Sequence, residues 1–286
     1  MKQILTLVLI GISSAVFSQE KISFTLPPAS PDASFTQQLG NVNLTVSYSR
    51  PLAKGRKIFG GLVPFDSLWR TGASESTIIR FSGDVIINNN KLSAGKYALF
   101  TIPGVNEWTI IINADTTLHG DFGYESTKDV LRFKVKPEKS EHFYEAFTID
   151  INDIKRTGDA FLALSWENTV VKIPINNAVH AKILSQINTR IIINKEKNAG
   201  LFFEAANYYY STGGDLNQAA VWASEAEKLD KENFIYPNLL QKILADSKDY
   251  KGAIAAAKRA IALAEKQNMT NAVITLKKRV AEWESK

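Results

Sequence analysis

"TIIRFSGDVIINNNKLSAGKYALFTI", residues 77–102, holds alternating β-branched and aromatic runs on either side of an asparagine cluster and an Ala94-Gly95 pair. A period of two puts successive side chains on opposite faces of an extended chain, so the runs predict strands. Asparagine tolerates positive φ, so residues 88–90 predict the turn between them. The same grammar extends outward to "VNLTVSYS" (42–49), "EWTIIIN" (107–113), "VLRFKVKP" (130–137), "AFTIDIND" (146–153), "FLALSW" (161–166) and "TVVKIPI" (169–175). Short strands at close spacing, with no helical pattern among them, predict an antiparallel β-sandwich or barrel. The last two runs are expected to be joined by a two-residue hairpin at Glu167 and Asn168.

Upstream, "MKQILTLVLIGISSAVFSQE" (1–20) carries a cation at Lys2, an apolar run from Ile4 to Ile10 and small residues toward Ser18. That layout predicts a signal peptide over residues 1–18, with an apolar core too short for a spanning helix. The chain has no cysteine, so no lipid can be attached through a thiol at the cleavage site. The mature protein is expected to be soluble and not a lipoprotein, in the periplasm or outside the cell, without stable membrane insertion or disulfides.

Downstream, the pattern changes. Residues 19–178 carry 17 Lys+Arg against 17 Asp+Glu, whereas residues 179–286 carry 16 against 12. Of the overall charge of +5, all but the one cation at Lys2 is therefore spread along the C-terminal part and gives no concentrated basic patch for nucleic acid. "DLNQAAVWASEAEKL" (215–229) aligns with "DYKGAIAAAKRAIAL" (249–263) at an offset of 34, matching Asp215 to Asp249, Ala219 to Ala253, Ala223 to Ala257, Ala226 to Ala260 and Leu229 to Leu263. Small residues at that period suit close helix crossings, and the segment resembles degenerate tetratricopeptide repeats. The expected organisation is α+β and multidomain: a β-sandwich over residues 19–176, then a helical hairpin stack over 177–286. Stripes in "AVHAKILSQINTRI" (178–191) and "NAVITLKKRVAEWE" (271–284) are expected to cap the stack. By position, the resemblance implies a groove for a peptide or protein partner, lined by Glu204, Tyr208, Asn238 and Lys242.

Between the first two strands lies "GRKIFGGLVPFDSLWRTGASE" (55–75), which has neither period. Arg50, Arg56 and Arg70 offer planar guanidiniums, Trp69 offers a flat face, and Glu75 follows them. These five are the candidate site for an anionic or carbohydrate-like ligand. The competing structural reading has Arg50 or Arg70 paired with Glu75, while Trp69 and Phe65 plug the sandwich.

Ser-Arg-Pro (49–51), Gly55-Arg56, Gly61-Leu62-Val63-Pro64, Trp69-Arg70-Thr71-Gly72-Ala73, Glu75 and Ala94-Gly95-x-Tyr97 together resemble domain-of-unknown-function family 2911. That resemblance spans most of residues 34–174 and implies a secreted β-domain without an assigned activity. An aromatic residue is usual in that family where this chain has His119.

Enzymatic chemistry has less support. There is no thiol nucleophile, and His119, His142 and His180 have no metal-ligand spacing. No phosphate loop or Gly-x-Ser-x-Gly elbow is present, and no cofactor is implied. A carboxylate pair could come from Asp66, Glu75, Asp121 and Glu125, and His119 beside Gly120-Asp121 is the remaining catalytic candidate. The sequence thus favours a non-catalytic binding or scaffolding protein of the cell envelope, with a glycan or peptide hydrolase as the rival.

Overall fold

The computed structural model describes residues 26–286, so the export signal expected at residues 1–18 lies outside the described residues. Ten described strands build two antiparallel sheets. They are β1 (Asp32–Leu39), β2 (Val42–Ser49), β3 (Ala73–Phe81), β4 (Val85–Ile87), β5 (Asn90–Leu92), β6 (Gly95–Ile102), β7 (Trp108–Asn113), β8 (Asp129–Val135), β9 (Pro137–Asn152) and β10 (Ala160–Asn176). The larger sheet runs β1-β2-β3-β6-β7-β8 and the smaller β5-β4-β10-β9.

Alternation puts Leu44 and Val46 of β2, Ile79 and Phe81 of β3, and Trp108, Ile110 and Ile112 of β7 on the inner face. Phe147 and Ile149 of β9 and Leu162, Leu164 and Trp166 of β10 meet them from the other sheet. Each such side chain contributes about 1.5–3 kcal/mol on leaving water. At the asparagine cluster, Ile87 faces Asn90 across a two-residue turn in which Asn88 and Asn89 have φ of 45° and 66°. Positive φ at both central residues is the geometry that matches strand twist.

Two expectations need correction. The 161–175 region is one strand, β10, and Glu167 and Asn168 do not form a hairpin. Residues on both sides of Glu167 pair with β9, and the register shifts there. Glu167 has φ of 49°, but Asn168 does not join it at positive φ, so the residues make an irregular step in the ladder instead of a reversal. The second correction is β1, which the sequence reading missed. In its segment "DASFTQQL" Ala33, Phe35 and Leu39 alternate with polar residues, but only Leu39 is fully buried and Gln37 interrupts the apolar face; the strand pairs with β2 along its whole length.

Six helices follow: α1 (Val179–Ile187), continued by a π-helical turn (Asn188–Ile193), then α2 (Ala199–Thr212), α3 (Leu216–Leu229), α4 (Ile235–Asp246), α5 (Tyr250–Lys266) and α6 (Thr270–Glu284). Consecutive helices from α2 to α6 pack on one another. Ala219, Ala223 and Ala226 on α3 and Ala253, Ala257 and Ala260 on α5 are fully buried, which lets the backbones approach closely. Asp215 and Asp249, 34 residues apart, each cap the helix that follows by accepting backbone N–H bonds. Ile187 and Ile191 cover α2 at the front, and Leu276 and Val280 cover α5 at the back.

The two parts are fastened where β10 ends. Asn177 donates its side-chain amide to the Leu39 carbonyl and accepts from the Val179 amide at 3.1 Å. Gly158 has no Cβ because one would meet the Asn177 amide oxygen at 2.1 Å.

Candidate functional site

The loop from Arg50 to Gly72 is ordered by its own backbone. Gly60 donates to the Val63 carbonyl, Val63 to Ile58 and Leu62 to Lys57, while Trp69 and Thr101 exchange both of their backbone bonds. Gly60 sits at φ of 78°, and a Cβ there would strike the Phe65 ring at 2.4 Å.

Three of the five candidate ligand residues are occupied by this task. Arg50 donates Nε to the Phe147 carbonyl at 3.1 Å and Nη2 to Thr148 Oγ1 at 2.8 Å. Arg56 folds back onto the carbonyls of Ala53 and Leu52, at 3.0 and 2.6 Å. Trp69 is buried among Phe59, Trp108, Phe147 and Trp166, and its Nε1 donates to the Gly72 carbonyl at 3.1 Å. The expected cluster of outward guanidiniums beside an exposed indole is therefore not assembled. Neither arginine pairs with Glu75, because Arg70 donates Nη1 to the Ser74 carbonyl at 3.1 Å and Glu75 meets His119.

The remaining two candidates stand beside a groove. Between Ser47 and Ser49 on β2 the partner residues on β3 jump from Ile78 to Ala73. The surplus residues bulge away from β2, with Ser74 at φ of 56°. A non-glycine residue at positive φ costs energy and persists where its surroundings enforce it. Here the brace is the loop between β7 and β8: Ser76 donates its amide to the Leu118 carbonyl and its hydroxyl to the Leu118 and Gly120 carbonyls. Next to it, Nδ1 of His119 lies 2.7 Å from Oε1 of Glu75. The Arg70 guanidinium lies flat against Gly120, where a Cβ would come within 3.0 Å of it.

Beside the bulge lies a groove of about 720 Å³ that spans the edge strand β1, its neighbour β2 and β3. Its lining includes Asp32 and Ser34 from β1, Ser47 and Ser49 from β2, and Ser74, Glu75 and Ser76 from the bulge. Ser49 donates to Oδ1 of Asp32 at 2.6 Å, and Ser34 and Ser47 share a hydroxyl bond of 2.9 Å. Each carboxylate thus keeps one oxygen outside these bonds, and hydroxyls that can donate and accept lie between them. No lysine or arginine is among the lining residues.

Two of the other carboxylates named from sequence lie away from this groove's lining. Glu125 pairs with Lys128, which also holds Asp115, and Asp66 sits across the loop near Gly104. Asp32, the carboxylate that does share the groove with Glu75, went unnamed because the strand that carries it, β1, was missed. Among the described residues no group of three His, Asp or Glu side chains could hold a metal ion.

On the helices, the four expected groove residues stand on the neighbouring helices α2 and α4. Glu204 and Tyr208 line a pocket against α1, whereas Asn238 accepts from the Gln241 amide through its carbonyl and side-chain oxygens, at 2.9 and 3.2 Å, and Lys242 is half-buried on α4. His180 bonds the Tyr208 hydroxyl at 2.8 Å, and His142 packs edge-on against Tyr144. Among the described residues no helix is long and apolar enough to cross a membrane.

A family model described as "Protein of unknown function (DUF2911)" matches residues 30–175, just over half of the chain. The matched span contains the bulge, the groove and the brace, and ends within β10. No curated protein matches the chain.

Proposed function

The chain belongs to that family, and from this premise, which brings no activity with it, we propose that it is an exported, non-catalytic binding protein for a hydroxyl-rich, carbohydrate-like ligand. The observation that carries the reading is the groove beside the bulge, in which Asp32 and Glu75 flank a serine surface without a cation. A carboxylate oxygen accepts from vicinal sugar hydroxyls, and serine hydroxyls both give and take bonds, so the lining matches a polyol better than an anion. The helices act as a scaffold built of two tetratricopeptide-like hairpins, a reading supported by the 34-residue spacing of the Asp215 and Asp249 caps.

The test is calorimetric titration of the protein with neutral oligosaccharides. One saccharide class binds, and Asp32→Asn or Glu75→Gln weakens it about tenfold or more, near 1.4 kcal/mol, while the melting temperature stays put. The proposal fails if no neutral saccharide binds, or if both variants bind as wild type does.

A hydrolase is the second reading, favoured by one contact. A carboxylate on Nδ1 fixes an imidazole tautomer and leaves Nε2 able to act as a base, which is what Glu75 does to His119. Against it, the two side chains are 70% and 75% exposed, and among the described residues no hydroxyl bonds Nε2. Hydrolysis of a glycan or peptide that disappears in His119→Gln would establish this reading over the first.

A further inference from the structure

The turn between β9 and β10 reaches over the first helices. Arg156 in that turn donates Nη1 to Ser211 Oγ at 2.6 Å, and its guanidinium carbon lies 5.8 Å from the centre of the Tyr208 ring. Both contacts hold the guanidinium beside α2, and neither neutralises it. Beneath it is a pocket of about 350 Å³ whose apolar side is formed by Ile183 and Ile187 of α1 and Leu201 and Ala205 of α2.

The charges around this pocket are unevenly matched. At one end Arg190 holds Glu196 through Nε and Nη2, at 3.0 and 2.8 Å. Glu204 also acts on Arg190, raising its pKa after the larger effect of Glu196, so at that end one cation stands between two carboxylates. At the other end, Asp159 is taken up by Thr157 at 2.5 Å and Asn176 at 2.6 Å, with Lys155 beside it. Among the described residues no carboxylate lies within ion-pair distance of Arg156. A cavity with one apolar wall at a junction between structural units, with an unpaired guanidinium at its mouth, has the form of a small-molecule site. The planar fork of arginine takes a carboxylate through two parallel bonds.

We propose that this pocket binds a small carboxylate with an apolar body, the carboxylate on Arg156 and the body against Ile183, Ile187 and Leu201. The site is separate from the serine groove and stands or falls without it. Because Arg156 belongs to the sandwich and the apolar wall to the helices, an occupant bridges the two parts.

The probes are octanoate, octanol, octylamine and a short peptide ending in leucine, each titrated into the full mature chain by calorimetry and by methyl NMR of the isoleucines. Octanoate binds once per chain, and octanol and octylamine bind at least about tenfold more weakly. Arg156→Met weakens octanoate by about tenfold or more, whereas Ser211→Ala, which removes the tether but keeps the guanidinium, changes it by less than about threefold. Shifts appear at Ile183 and Ile187. The proposal is overturned if octanoate does not bind, if octanol binds as tightly, or if Arg156→Met leaves affinity unchanged. It is equally overturned if the leucine-ended peptide binds and octanoate does not, which would make the pocket a peptide site.

Discussion

Trp69 stacks on Trp166 with ring centroids 5.8 Å apart and planes at 20°, so a loop residue closes the gap between the two sheets. The segment that looks most like a binding loop in the sequence is thereby part of the core. Replacing Trp69 with alanine removes contacts with Phe59, Trp108, Phe147 and Trp166 together. The cost is about 3–5 kcal/mol, read as a lower urea midpoint, and it contrasts with the unchanged melting that a ligand-facing indole would give.

Arg56 holds its loop by donating to two carbonyls from two different nitrogens. Arg56→Ala should lower stability by about 1 kcal/mol, because the side chain is exposed and water recovers part of the loss. Arg56→Lys should recover little, since an ammonium cannot reach both carbonyls with the geometry of the fork. Equal stability of the lysine variant and wild type would show that the charge, not the fork, matters.

The brace behind Glu75 depends on Asp115. Its carboxylate accepts from the Thr117 amide and hydroxyl and from Lys128, at 3.1, 2.7 and 3.0 Å. Bonds from Thr117 foremost, and then Lys128, lower its pKa from 3.8 to about 2. A depressed folded-state value means the contribution is complete above pH 3.8 and is lost as pH falls through about 2. The Thr117 amide resonance should therefore titrate with a midpoint near 2, and a midpoint near 3.8 would remove Asp115 from the brace.

Strand-forming residues that face the interior were readable in the sequence because burial imposes a period of two, as in "VNLTVSYS" and "EWTIIIN". The edge strand β1 was missed although Ala33, Phe35 and Leu39 alternate with polar residues, because only Leu39 is fully buried and Gln37 breaks the apolar face. The groove was hidden for a different reason. It lies beside the surplus backbone between Ala73 and Ile78, and a bulge in a strand has no side-chain signature when the bulged residues are Ser74, Glu75 and Ser76. The arginines misled because a guanidinium satisfied by carbonyls and one aimed at a ligand are the same letter. The helical register, in contrast, was legible through its alanines, whose small size is itself the packing requirement.

Those alanines supply a packing test. Ala253 is fully buried on α5, whereas Val221 on α3 is 55% exposed. Ala253→Leu should destabilise by about 1–3 kcal/mol through overpacking, and Val221→Leu should be nearly neutral. Tolerance of leucine at both positions would mean that the α4–α5 crossing is looser than the burial of Ala253 implies.

Tyr210 and Asp246 link α2 to α4 through a hydroxyl-to-carboxylate bond of 2.7 Å. Burial, followed by the Asp246 bond, raises the Tyr210 pKa from 10.0 to about 12. A folded-state value above the unfolded one means that the contribution is fully present below pH 10 and disappears as pH rises toward 12. Tyr210→Phe should therefore lower stability at neutral pH by about 0.5–1.5 kcal/mol, since the exposed Asp246 regains water when the hydroxyl is gone. The difference between wild type and this variant should narrow across pH 10–12 and reverse as the buried hydroxyl ionises, which separates Tyr210 from every other group titrating in that range. A difference that is constant with pH would assign the loss to packing of the ring and leave the Asp246 bond without a stabilising role.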